Sequence, residues 1–238
     1  MLDISVFLNY WPYFAKGFWL TIQISLCSAV LGFLIAFPMA LMRVSHVRVL
    51  RVLSAFYIEV LRNVPFIILV FLFFYGLPFA GVRLPERVAG TIALSLFVSA
   101  YYAEILRGAM ASIPRGQVEA ARAAGFTYPQ ILRDIVVPQM WKFALPPMAG
   151  TTTMTVKESS ILSTITVAEL TYQGLIVQGM TFAPFEVFFA AAALYWMFTA
   201  LLSWMFLVVE RRLGIVQNHG TSQSKIARRF LSLDHRTS

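Results

Sequence analysis

This sequence predicts an all-α membrane protein of about five transmembrane helices, and three observations lead there. Of its 238 residues, 59% are hydrophobic and only 13% are charged, against roughly a quarter in an ordinary soluble domain. Charges are missing from long stretches, and Gly17 to Met42 and Val187 to Val209 are each long enough to cross a hydrocarbon core as a helix. The basic residues gather in short clusters between such stretches. The formal net charge of +8 therefore points to membrane orientation and anionic lipid rather than to nucleic acid.

The spans follow in order. The first covers about 18–42, the centre of the first charge-free run. The second, about 55–79, joins the uncharged run Asn63 to Val82 to the amphipathic "RVLSAFYIEVLR" before it. The third, about 88–108, is uncharged from Val88 to Ala103 and then meets Glu104 and Arg107. The fourth, about 136–160, holds Pro146, Pro147 and Gly150, so a kinked or irregular helix facing protein or a cavity is expected. The fifth covers about 185–209, and Trp11, Trp19, Trp141 and Trp204 are placed as interfacial anchors. The chain thus divides into an N-terminal segment (1–17), a transmembrane domain (18–213) and a basic, flexible tail (214–238).

Orientation follows from the basic residues. Arg43, Arg48 and Arg51 follow span one; Arg107, Arg115, Arg122, Arg133 and Lys142 surround the connection after span three; Arg211, Arg212 and Lys225 follow span five. These connections are expected in the cytosol, with the N-terminus outside. The first residues lack a basic leader with a cleavage site, so the first helix is expected to be retained.

Chemistry is sparse. Cys27 is the single cysteine, and His46, His219 and His235 have no metal-ligand spacing. No lysine follows a glycine, so no phosphate-binding loop of the Walker type exists. The expectation is a non-catalytic chain that binds no cofactor and no metal.

Two acid–base pairs, Glu59 with Arg62 and Glu104 with Arg107, sit three residues apart and are expected to share a helix face. Lys157 and Glu158 are different. Only 14 uncharged residues separate Lys142 from Lys157, a rise of about 21 Å against a core of roughly 30 Å. Lys157 at membrane depth is a functional hypothesis, and a side chain snorkelling to the outer rim is the alternative. Adjacent helical residues point about 100° apart, so Lys157 and Glu158 are not expected to pair.

The longest connection, between spans three and four, reads "IPRGQVEAARAAGFTYPQILRDIVVPQ". Pro114 opens a short helix with Glu119 in an early turn, where the dipole favours an acid, and Gly125 closes it. Ala120, Ala121, Ala123 and Ala124 keep this helix slim enough for close approach by a partner. Thr127 can cap a following helix with Pro129 in its first turn.

The spacing Glu119-Ala120-Ala121, Gly125, Ile135, Val137-Pro138 resembles the signature loop of ABC-importer permeases, with Val137 in place of the usual leucine. "YIEVLRNVP", "FFYGLP", "AYYAEILRG", "VKESSIL" and "VERRLG" resemble the polar amino-acid branch, over roughly Tyr10 to Leu213. The resemblance implies that Gly116, Gln117, Glu119, Ala120, Ala121, Gly125 and Pro138 form a coupling helix and loop docking on a separate ATPase, which binds ATP and Mg. It also implies two permease subunits, identical or sister chains, two ATPase copies and an extracytoplasmic solute-binding protein. Candidate path or gate residues are Leu69, Phe97, Tyr101, Glu104, Lys157, Glu158 and Ser159. The branch commonly has Gln where Leu69 stands, an Asn near Phe97 and Asp-Thr where Glu158-Ser159 stand. A self-contained secondary transporter or channel, and a membrane scaffold, are the rival readings.

Overall fold

The computed structural model describes residues 4–215, and all regular structure among them is helical. The basic tail, with His219 and His235, lies outside the described residues. The chain runs α1 (Ile4–Asn9), α2 (Trp11–Val44), α3 (Arg48–Asn63), α4 (Phe66–Phe71), α5 (Glu86–Ala111), α6 (Arg115–Ala123), α7 (Tyr128–Ile131), α8 (Val137–Glu158), α9 (Leu170–Thr181) and α10 (Pro184–Arg212). Three of these, α2, α5 and α10, are long and apolar enough to cross a membrane, and up to five spans result if each of two bent pairs counts as one.

Helix α2 begins at Trp11 rather than near 18, with Pro12 in its first turn, where a missing N–H costs nothing. At its other end Ser54 Oγ donates to the Met39 carbonyl at 2.6 Å, tying α3 back onto α2. Ser54, Ile58 and Leu61 form the buried stripe of α3, the i, i+4, i+7 spacing of an amphipathic helix.

The expected second span is not one straight helix. Arg48–Asn63 and Phe66–Ala80 meet at 106°. Pro65 lacks the N–H that would continue the ladder, and its ring forces Val64 into extended geometry (φ −87°, ψ 129°). Beyond the bend α4 passes into a π-turn at Leu72–Gly76 and a 3₁₀ turn at Leu77–Ala80.

Helix α5 is the most buried of the three long helices. It packs along α2, where Gly32 lets the two backbones approach, and hydroxyl pairs join it to its neighbours: Tyr57 to Ser99 and Tyr102 to Thr152, each at 2.6 Å. The fourth span also departs from expectation. Pro146 and Pro147 lie within an uninterrupted α8, and the irregularity falls earlier, in a π-turn at Leu132–Val136. Thr151, Thr152, Thr153 and Thr155 each bond back to the carbonyl four residues before, so these four hydroxyls are satisfied within the helix. After α8 the chain makes a 3₁₀ turn at Ser159–Ile165 and bends by 51° into α9, an element the charge-free runs did not reveal.

Candidate functional site

Two places concentrate the residues singled out by sequence. The first is the connection from α5 to α8. Helix α6 ends with Ala124 as its cap, followed by Gly125 at φ +84°, a left-handed position that favours glycine. The Gly125 N–H donates to the Arg122 carbonyl and the Phe126 N–H to the Ala121 carbonyl, each at 3.0 Å, so the last turn is satisfied. Thr127 then caps α7: its N–H donates to Gln130 Oε1 at 2.8 Å, and Pro129 stands in the first turn.

The dipole argument for Glu119 needs correction, although the residue does lie in an early turn, the second. Glu119 is not in the first turn of α6, which contains no acid; it lies in the middle of a nine-residue helix, because Pro114 is the cap and Arg115 the first helical residue. The helix dipole therefore does little for it.

Only Ala121 of α6 is buried, in a cluster with Ile113, Ile131, Val136 and Met140. Gly116, Gln117, Glu119, Ala120 and Gly125 are exposed, as is Pro138 at the start of α8. Gln139 Nε2 donates to Gln117 Oε1 at 2.7 Å, fastening the exposed helix to α8, and Tyr128 Oη donates to the Val44 carbonyl at 2.7 Å, fastening the loop to α2. The arrangement is a slim helix, held on one face and open on the other. It can transmit a push along α8.

The second place is a groove between α8 and α10. It holds a cavity of ≈ 490 Å³ bordered by Gly150, Thr153 and Lys157 of α8 and by Ser203, Leu207 and Glu210 of α10. A neighbouring cavity of ≈ 370 Å³ is bordered by Lys157, Ser160, Tyr195, Trp196 and Thr199. Lys157 belongs to both, and its side chain is exposed in the isolated chain. Lys157 and Glu158 form no ion pair, since the only two salt bridges among the described residues lie elsewhere. Ser159 is buried and its hydroxyl donates to the Val156 carbonyl at 2.8 Å, a local bond that closes the end of α8.

Of the other path candidates, Leu69 and Phe97 are inside the chain, and Tyr101 and Glu104 are half-buried. Leu69 (5% exposed) and Phe97 (6% exposed) pack in one apolar cluster, where Phe97 contacts Phe66 and Tyr101 with ring centroids 4.8 and 5.0 Å apart. They border neither cavity of the groove. Glu104 and Arg107 form the expected pair, with Arg107 Nε 3.0 and 2.9 Å from the two carboxylate oxygens. Glu59 and Arg62 form no ion pair; the Arg62 guanidinium lies over the Tyr101 ring instead, 5.4 Å from its centroid. A delocalised cation over an aromatic face is favourable, and it draws Arg62 across to α5. Sequence reasoning missed the α10 side of the groove, because Tyr195, Thr199 and Ser203 sit among aromatic and aliphatic residues with no charge to mark them.

Comparison with known proteins fits this geometry. The family described as binding-protein-dependent transport system inner membrane component matches residues 28–215. A probable glutamine ABC transporter permease of Bacillus subtilis (strain 168) is 35% identical over 212 residues, covering 89% of this chain and 98% of that protein. An L-cystine transport system permease of the same organism is 34% identical, covering 86% of this chain and 88% of its own length. Among solved structures, one described as an amino acid ABC transporter with histidines superposes with a TM-score of 0.84 at 33% identity, over 89% of this chain and 99% of that one.

Proposed function

The chain belongs to the family of binding-protein-dependent transport system inner membrane components, and from that membership we propose how it works. It is the permease subunit of an ATP-driven importer in the bacterial inner membrane. The solute is a polar amino acid or similar small molecule, in line with the glutamine and cystine named for the two relatives. Two permease subunits, identical or sister chains, enclose the pathway above two ATPase subunits, and a soluble binding protein delivers solute from outside. ATP and Mg reside on the ATPase, and this chain is non-catalytic.

We assign five spans, each bent pair counting as one, with the N-terminus outside and the tail in the cytosol. The basic residues support this: Arg115, Arg122 and Arg133 lie in or just after α6, Arg43 precedes the Val44 carbonyl to which Tyr128 is fastened, and Arg211 and Arg212 follow Glu210, which lines a cavity with Pro146 of α8. The residues 18–213 act as one transmembrane unit.

The observation that carries the reading is the exposed, fastened helix α6. Its free face, with Gly116, Glu119 and Ala120, fits a groove on a partner. Its bond to α8 through Gln117 and Gln139 gives motion of that partner a route to the α8–α10 groove. Lys157 lines the solute path there; Glu158 and Ser159 end its helix, and Leu69, Phe97, Tyr101 and Glu104 brace the helices behind. A self-contained secondary transporter gives α6 no task.

Cross-linking tests the docking. Ala120→Cys in a Cys27→Ser background, co-expressed with the ATPase, should cross-link to it through a short bifunctional thiol reagent. Absence of that product in a transporter that still takes up solute contradicts the assignment.

A further inference from the structure

Glu169 is fully buried between the end of the 3₁₀ turn and the start of α9, far in sequence from every residue it contacts except its own helix. Its carboxylate is surrounded by donors. The N–H groups of Thr171 and Tyr172 donate to Oε2 and Oε1 at 3.0 and 2.9 Å, and the Tyr195 hydroxyl of α10 donates to Oε2 at 2.6 Å. The Thr21 hydroxyl of α2 points at the same oxygen from 3.5 Å.

The proton accounting is complete. Tyr195 has one hydroxyl proton and gives it to Glu169, so at the 3.0 Å contact between Thr171 Oγ1 and Tyr195 Oη the threonine must be the donor. Thr21 gives its proton toward Glu169 and accepts from the Leu170 N–H at 3.1 Å. The N–H of Gln173 reaches the Glu169 carbonyl at 3.0 Å. That bond is the first regular one of the helix, and the Glu169 N–H itself donates to the Val167 carbonyl at 2.8 Å, so each of the four orphan donors at the start of α9, from Glu169 to Tyr172, has a partner. Gly17, one turn before Thr21, brings α2 so close that a Cβ there would stand 2.9 Å from the Leu170 Cα. Three helices meet at one carboxylate.

Capping α9 does not require the reach to α10. An aspartate would accept from the same backbone N–H groups, and aspartate is among the preferred residues at a helix N-cap. What the extra methylene of glutamate adds is the bond to Tyr195. That tyrosine is also a wall of the groove: it borders the ≈ 370 Å³ cavity beside Lys157, Ser160 and Thr199. We propose that Glu169 is a positioning residue for the transport groove, holding the Tyr195 ring back by its hydroxyl so that the space beside Lys157 stays open. The inference rests on the reading of that groove as the solute path.

Release has a predictable direction. A tyrosine hydroxyl deprived of its acceptor inside the bundle must find another. Thr171 Oγ1, 3.0 Å away, is left as its one near acceptor in place of the carboxylate at 2.6 Å, so the loosened ring also turns toward the polar groove it borders and narrows the cavity.

The test uses Ser160→Cys as reporter in a Cys27→Ser background, in membrane vesicles holding the assembled transporter, labelled by a small water-soluble thiol reagent. Glu169→Asp, which retains the cap, should slow labelling about tenfold. Adding Tyr195→Phe to Glu169→Asp should restore the rate, because a phenylalanine ring has no hydroxyl to satisfy and keeps its apolar packing. A purely structural cap predicts equal labelling in all three backgrounds, and that result overturns the proposal. Uptake by Lys157→Ala, per assembled transporter, separately tests the groove: normal uptake rejects the groove as the path, while unchanged labelling rejects only the tether.

Discussion

A Cβ placed on Gly32 of α2 would stand 2.3 Å from Cγ1 of Val98 on α5 and 3.0 Å from the Ser95 carbonyl oxygen. No real methyl group fits there. The central pair of helices is in contact through backbone at this point, and even alanine has to push them apart. Gly32→Ala should destabilise the protein by about 1–3 kcal/mol, the usual cost of overpacking. Pairing it with Val98→Ala removes the nearer clash and should recover part of the loss. Thermal unfolding in detergent checks this, and a single mutant as stable as wild type would refute the contact.

Gly125 is constrained differently. Its backbone is left-handed at φ +84°, and a Cβ there would meet nothing within 4 Å. The cost of a side chain is therefore conformational, on the order of 1 kcal/mol for alanine and less for asparagine, which tolerates that region. Association with the ATPase should fall in the order glycine, asparagine, alanine, measured by co-purification from membranes. Equal recovery of all three would show that the left-handed turn is not needed.

The Glu104–Arg107 pair is only part-buried, at 28% and 35% side-chain exposure. Water still screens it, so Glu104→Gln should cost no more than about 1 kcal/mol of stability. Uptake per assembled transporter should stay near wild type, because the carboxylate is already occupied by the guanidinium. Uptake lost at unchanged stability would instead make Glu104 part of the solute path.

Topology has its own test. Ser5→Cys and Ser222→Cys, each in a Cys27→Ser background, should react with a membrane-impermeant reagent from opposite faces, the first from outside. Labelling from one face would rule out an odd number of spans.

Much of this was legible because local chemistry and fold agree. Pro114 and Gly125 mark the limits of α6, and Thr127 with Pro129 marks the start of α7, since caps and turns depend on neighbouring residues. Pro65 was equally visible, but a charge-free run continues across it, and counting uncharged residues is blind to direction. The dipole argument for Glu119 failed by a smaller margin: counted from Arg115 the acid is the fifth helical residue, just past the first turn, where the dipole has faded. Lys157 of the groove was marked by its charge, but Tyr195, Thr199 and Ser203 across from it on α10 and the partners of Glu169 were beyond reach. Thr21 lies 148 positions from Glu169, and nothing in either segment records that the fold brings them together.

The central claim is that α6 carries nucleotide-driven motion into the membrane helices. Paired measurement of solute uptake and ATP hydrolysis in vesicles, with loaded binding protein, tests it most directly. Glu119→Lys reverses a charge on the exposed face of α6, and Gly125→Asp misdirects the chain behind it; both lie outside the apolar spans, so both proteins should still insert. The account predicts that stimulation of hydrolysis by loaded binding protein falls at least about tenfold, the scale of a coupling free energy of 1–3 kcal/mol, and that uptake falls with it. Wild-type stimulation and uptake in both variants would contradict it, leaving α6 as an alanine-rich surface helix.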